Sequence, residues 1–447
     1  MIDNMIRSNR LSDILIGMCK LERGLWLFFL ILAAGSLGAL DFNSDAYGNL
    51  SDFYRIDDNA GLTAFPVLRI PMGGMAEGMG TAFAALAEDL TFIEWNPAGS
   101  SRLEFTEVGF FHNNWIADTK LESIVFASRI EHLGYAAGIK WLYLPFSEYN
   151  MYGNRVSKGY YSEGVVTLNV SYNFLAGYYF SGISVGANLK GAFRFMPDYS
   201  SADDRGNNEG SVLRSSGRSQ SAIMAMMDLG ALVQFNVFKK YNAREKNTSA
   251  ALVIRNLGPK AKGEPLPTSL TAALAYKPVR PVTVAFDYTL PVNMQQFDLS
   301  EKPSWAAGFN VDITEFLSMR AGLLGRYGGY RVTIGSAVDL GKIALEMNYS
   351  LDLLTQFTPL NRISLGARIN LGDQGRQELS SRVDTLYLTG LDAYNQGNML
   401  QARTNWEEAL RLNPRFDPAK EALSLIQNSS SLDDRIMQMQ SLDDYKW

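Results

Sequence analysis

The sequence predicts a mainly β protein: a 14-stranded antiparallel transmembrane β-barrel with an N-terminal plug and a small all-α C-terminal domain. Three observations carry that prediction. Segments of strand length between residues 105 and 372 alternate apolar with small or polar side chains. A glycine-rich, irregular zone precedes them, and after residue 378 the periodicity turns helical. Composition agrees: 47% of the 447 residues are apolar, 12% are aromatic and 39 are glycine. A mean hydropathy of -0.08 excludes a bundle of membrane helices but suits barrel strands, whose two faces average out. The net charge of -5 and the lack of any Lys/Arg-rich run leave no footprint for nucleic acid.

Taken in order, residues 1–39 read as a signal peptide. Arg7, Arg10, Lys20 and Arg23 precede the apolar run Leu25 to Ala34, and Gly35, Ser36, Gly38 and Ala39 supply small residues for cleavage. The competing reading is a membrane anchor, for which the run is short: a spanning helix needs ~20 apolar residues. Cys19, the one cysteine, precedes the apolar run and leaves with the signal, so thiol chemistry drops out of consideration.

Residues 40–104 read as the plug and residues 105–372 as the barrel. In one strand Ile183, Val185, Ala187 and Leu189 share a face against Ser184, Gly186, Asn188 and Lys190. Another sets Val284, Phe286 and Tyr288 against Ala285, Asp287 and Thr289. A third sets Leu345, Met347 and Tyr349 against Glu346, Asn348 and Ser350. A soluble sandwich would also alternate, with its apolar face inward. Strands of about ten residues, aromatics such as Tyr143, Tyr276 and Tyr349 near their ends, and a second face poor in Lys and Glu favour a membrane barrel. Fourteen segments result, from 105–116 to 361–372, the third ending at 145 and the fourth starting at 163. The polar stretch from Pro197 to Arg218 follows the fifth strand and so belongs outside the cell if the first strand starts in the periplasm. An even count returns the C-terminus to the periplasm, giving an outer-membrane protein with both termini periplasmic.

Fourteen strands lie close to the 16–18 that leave an open aqueous channel, so such a barrel calls for a plug. The glycine-rich zone, entering from the periplasmic side where the first strand begins, is the expected one. It contains Gly73, Gly74, Gly78, Gly80, Glu88-Asp89 and then Trp95-Asn96-Pro97-Ala98-Gly99. This run resembles the N-terminal hatch of the FadL-type long-chain fatty-acid transporters, and still more the FadL-like barrels that serve bacterial secretion as accessories. The resemblance covers about residues 60 to 372. It implies a channel in which a ligand caught among outer loops reaches a pocket inside the barrel and leaves when the hatch shifts or a strand kinks. Gly73, Gly74, Gly78, Gly80, Asn96, Pro97 and Ala98 are the hatch and gating residues it points to, with a static turn leading into the first strand as the alternative for Asn96-Pro97-Ala98.

By the alternation, Lys190, Arg194, Asp287, Arg331, Asp339, Glu346 and Arg368 face the lumen. Lys190, Arg194 and Arg368 are candidates for contacting a ligand carboxylate; alternatively these cations pair with lumenal acids and hold the plug. His112 and His132 lack further ligands in any metal-binding spacing, and no nucleophile elbow, phosphate loop or dinucleotide fingerprint occurs. The sequence therefore predicts no catalytic residues, no metal and no cofactor.

Residues 378–427 form the helical domain, followed by a polar tail, 428–447. Gly390, Ala402, Trp406, Ala409 and Pro414 fall at the small, aromatic and proline positions of one tetratricopeptide repeat, which the line from Tyr394 to Pro414 resembles. A lone repeat needs a surface to cover it. The barrel's own periplasmic rim, a second copy and a periplasmic protein are the candidates. Two functions fit the sequence. One is an outer-membrane channel for long-chain fatty acids or other hydrophobic small molecules, in contact with outer-membrane lipid. The other is a docking platform for periplasmic or secreted proteins.

Overall fold

The computed structural model describes residues 57–427, apart from 117, 150–151, 196–220 and 354–359. The signal-peptide segment, residues 40–56 of the plug, the stretch from Pro197 to Arg218 and the polar tail lie outside the described residues.

Fourteen strands close into one barrel in which every neighbour is antiparallel and β1 pairs with β14. They are β1 (Glu107–Asn114), β2 (Lys120–Ile130), β3 (Leu133–Tyr149), β4 (Arg155–Phe174), β5 (Ile183–Phe195), β6 (Ala222–Phe235) and β7 (Thr248–Leu257). Then come β8 (Ser269–Val279), β9 (Val282–Pro291), β10 (Ser304–Asp312), β11 (Leu317–Arg326), β12 (Gly329–Asp339), β13 (Ile343–Asp352) and β14 (Leu360–Asn370). Closure follows from the two-residue period: it leaves no strand edge, and it sorts side chains into an outer and an inner set. The outer set is apolar, with Leu168, Leu189, Phe286, Ile334 and Met347 all exposed. The inner set is small, polar or charged, and Asn188, Asp228, Asp287, Glu346 and Asn348 are buried. Asp339 departs from its expected place in the lumen. It lies exposed at the rim, where its carboxylate accepts a hydrogen bond from the Gly341 amide in the turn after β12.

β3 and β4 run further than the alternation suggested, to Tyr149 and back to Arg155. Beyond Tyr143 and Ser162 they pair only with each other, so this ribbon stands past the wall formed with β2 and β5. Along it, aromatic and polar residues no longer alternate, because neither face is committed to lipid or lumen.

The near end of the barrel is the one where β1 begins and β14 finishes; the far end is opposite. From Asn59 to Arg102 the described part of the plug runs through the lumen from far to near. The Asn59 amide donates to the carbonyls of Asp298 and Ser300, and Ala64 N–H to that of Pro265, all in far-end loops. The chain then forms the short helices α1 (Gly74–Gly78) and α2 (Phe92–Trp95) and a 3-10 turn, Pro97–Arg102, before entering β1. Sequence periodicity cannot fix the direction of a segment that has no regular structure. Inside the barrel the plug supplies its own apolar core, with Phe65, Met72, Met79, Phe83, Leu90 and Phe92 buried.

At the near end, α3 (Arg376–Asn395), α4 (Met399–Leu412) and α5 (417–427) form a small helical unit. Trp406 is 1% exposed and faces Gly390, where any side chain would collide with the indole. Ala402 and Ala409 keep the helices close, and Pro414 follows the end of α4. The unit rests on the barrel's own turns. The Phe416 ring meets Tyr178 edge-on at 5.1 Å, Arg415 donates to the Ala176 carbonyl at 3.3 Å, and Arg244 pairs with Asp384 at 3.6 Å.

Candidate functional site

The lumen is where hatch and wall meet, and glycine on both sides sets how close they come. Gly80 has φ +66°, and a Cβ there would lie 2.6 Å from the Leu323 amide nitrogen; a Cβ on Gly322 would overlap the Gly80 backbone in turn. Across the lumen, Gly186 and Gly230 are cross-strand partners on β5 and β6, and Asn96-Pro97 sits directly on them. Wall glycines thus form the seats on which the hatch backbone lies.

Hydrogen bonds fix it there. Asn96 caps the 3-10 turn by accepting from Ala98 N–H at 3.0 Å and donates to the Ala84 carbonyl at 2.7 Å. The Pro97 carbonyl accepts from Asn169 at 2.9 Å. Asp287 on β9 accepts from the amides of Phe83 and Ala84 at 3.1 and 3.0 Å, and Glu163 on β4 accepts from Val67 N–H at 3.0 Å. The carbonyls of Gly74 and Gly78 accept from Asn348 and Thr333. Each of these satisfies a buried backbone group that would otherwise cost roughly 1–3 kcal/mol. Among the proposed hatch residues, Gly73, Gly74, Gly78 and Gly80 cluster against β11–β14 and Phe111 of β1, while Asn96, Pro97 and Ala98 lie on the β4–β6 side.

On the far side of the hatch lies a cavity of ≈ 230 Å³. Its apolar lining comes from Ile93 and Trp95 of the hatch and from Val125, Val165, Leu266 and Leu324 of the wall and its loops. Of the cations expected to meet a ligand carboxylate, only Lys190 lines it. Lys190 pairs with Asp228 at 2.6 Å; Arg194 pairs with Glu264 at 3.3 Å; Arg368 bridges Glu346 at 3.1 Å and Glu107 at 3.4 Å. The three therefore do not converge on one site.

Two cations that the sequence did not single out, Arg255 and Arg326, also line the cavity, and among the described residues neither has a carboxylate within ion-pair distance. The Arg255 guanidinium lies 4.7 Å from the centre of the Trp95 ring. Its inward orientation follows the regular alternation of β7, in which Ala251 and Val253 also face in; the bulge that follows turns Asn256 inward as well. The available hint was the alternation itself, which sets Ala251, Val253 and Arg255 against Leu252 and Ile254.

Comparison with known proteins places this geometry in context. The model of an uncharacterised protein family, UPF0164, matches residues 55–374. A UPF0164 protein of Treponema pallidum (strain Nichols) is 30% identical over 368 residues, spanning 79% of this chain and 80% of that one. A second from the same organism is 26% identical over 376 residues, 80% and 73% of the two chains. Among solved structures, a mutant of the TodX monoaromatic hydrocarbon channel is similar at TM-score 0.42 and 14% identity, over 68% of this chain and 98% of the other. The Pseudomonas putida toluene transporter TodX gives 0.41 and 14%, over 65% and 96%.

Proposed function

The chain belongs to the uncharacterised protein family UPF0164, and we propose that it is an outer-membrane channel for small hydrophobic molecules, closed by its hatch. The observation that carries this reading is the sorting of the wall. Apolar side chains such as Leu189, Phe286 and Ile334 cover the outside, while the lumen holds a bonded plug beside a partly apolar cavity. An outer surface of that kind is stable only against lipid, and a plug of that kind prevents the free passage of ions. The helical end faces the periplasm and the cavity opens toward the cell exterior.

Long-chain fatty acids are the ligand suggested by the hatch. The cavity, at ≈ 230 Å³, exceeds the roughly 150 Å³ that suffices for benzene and falls below the roughly 300 Å³ at which pockets for drug-sized ligands begin. It houses a small hydrophobe whole and a long acyl chain only in part. The seven hatch residues from Gly73 to Ala98 act as the closure, and movement of the α1 segment away from β11 and β12 is the opening we favour. On that side, among the described residues, the hydrogen bond that holds α1 is the one from Thr333 to the Gly78 carbonyl. The helical unit is one tetratricopeptide-like repeat whose exposed side the barrel turns cover.

Native mass spectrometry of the chain extracted in mild detergent is expected to find a bound hydrophobic small molecule, and proteoliposomes carrying it are expected to admit such compounds. A ligand-free protein whose proteoliposomes are no more permeable to hydrophobes than empty vesicles would overturn the proposal.

A further inference from the structure

We infer that the cavity selects small amphipathic carboxylates, one ring or a short chain bearing a single carboxylate, and that Arg255 is the residue that reads the charge. The inference rests on the channel reading and adds a ligand class to it.

The backbone supplies the first part of the case. Between β6 and β7 the register shifts: Met227 pairs with Leu257 and Leu229 with Ile254, so Asp228 opposes two residues, Arg255 and Asn256. Asn256 takes φ +55°, and its amide donates to an Asp228 carboxylate oxygen at 2.7 Å in place of a ladder bond. In a regular strand, consecutive side chains point to opposite faces; at a bulge both can turn the same way. Here Asn256 is 5% exposed and bonded to Lys190 at 3.1 Å, while Arg255 lines the cavity beside it. Regular alternation from Ala251 and Val253 brings the Arg255 guanidinium to the cavity floor, and the irregularity turns Asn256 inward beside it, where alternation would have left an outward residue.

Its surroundings supply the second part. The nearest carboxylates are engaged elsewhere, save that Asp287 Oδ1 has no hydrogen-bond partner. Asp228 accepts from Lys190, Asn188 and the Asn256 amide. Asp287 holds the hatch amides of Phe83 and Ala84, and Glu94 holds Lys140 and the Met72 amide. The Arg255 Nε is buried with no hydrogen-bond partner in the structure. A guanidinium so placed, half-buried over Trp95, gains most from a planar anion that it can meet with two parallel hydrogen bonds. Ile93, Trp95, Val125 and Val165 provide the apolar surface against which the rest of such a molecule would lie. Arg326, nearer the mouth and likewise without a carboxylate in ion-pair distance among the described residues, supplies a second positive charge along the way in. The volume sets the upper limit: a ring or short chain fits, and a long acyl tail does not fit whole.

Calorimetry on the detergent-solubilised full chain at neutral pH, with benzoate and its neutral analogue benzyl alcohol, tests the idea. The wild type is expected to bind benzoate about tenfold more tightly than benzyl alcohol, the ratio that one charge-assisted contact supplies. Arg255→Met should remove that preference while leaving benzyl alcohol affinity unchanged, and Arg255→Lys should keep part of it. Heat-dependent mobility on denaturing gels shows that each variant has kept its barrel. Equal affinity for the two compounds, or a benzoate affinity unaltered by Arg255→Met, overturns the anion assignment and leaves the channel intact. If neither compound binds the wild type, the cavity is not a ligand site and the channel reading falls with it.

Discussion

Gly322 on β11 lies against Gly80 of the hatch, so that a single methyl group would drive the two backbones apart. Gly322→Val should therefore unseat the α1 segment, at a cost of about 1–3 kcal/mol for overpacking, without disturbing the outer surface. In planar bilayers the wild type is expected to be nearly silent and Gly322→Val to show steady ion conductance; a silent variant that still folds would mean the seat does not hold the hatch. At this scale the sequence was partly legible. Alternation correctly turned Lys190, Asp287, Glu346 and Arg368 inward, because each lies in a regular strand. It gave no information on pairing: whether Arg368 meets a ligand or Glu346 depends on strand register, and the register sets Glu346 and Arg368 on adjacent β13 and β14. Arg255 follows the same alternation, on the face of Ala251 and Val253; what the bulge opposite Asp228 hides is that Asn256 turns inward beside it.

The elements were the most legible level. Turn signals such as Gly328-Gly329 and Gly341-Lys342 interrupt the alternation, so most strand ends could be placed within a few residues. The exceptions, the far ends of β3 and β4, leave the wall and with it the solvent contrast that creates alternation. The helical unit was legible from Gly390, Ala402, Trp406, Ala409 and Pro414, but its dock was not, because Tyr178 and Arg244 lie in distant turns. That dock should respond to acid. His132, in the turn between β2 and β3, is held below its usual pKa by burial and then by the charge of Arg415 from the helical unit. A lowered folded-state value means that protonation is more favourable in the released state. The contact therefore contributes fully above the ordinary histidine range, near pH 6.5, and weakens as pH falls through that range toward the folded value. Limited proteolysis after residue 372 should speed up between neutral and mildly acidic pH, and His132→Asn should flatten that dependence. An equally steep profile in the variant would place the titrating group elsewhere.

At the scale of the whole molecule, strand number, closure and the division into outer apolar and inner polar faces were all present in the sequence, because a two-residue period repeated over fourteen segments has few other solutions. The direction of the hatch was not, since a segment held by scattered bonds to Asp287, Glu163 and Asn169 carries no period to read. Everything proposed about transport depends on which solvent the apolar face meets. Spin labels on single cysteines report this directly, with Cys19 replaced so that only the label site remains. In reconstituted bilayers, labels at Leu189, Phe286 and Ile334 should be accessible to oxygen dissolved in lipid and shielded from a water-soluble relaxation agent. Labels at Asn188, Ala285 and Thr333 should be shielded from lipid. Outer positions reached freely by the aqueous agent, or inner positions reached through lipid, would contradict the membrane barrel and the channel built on it.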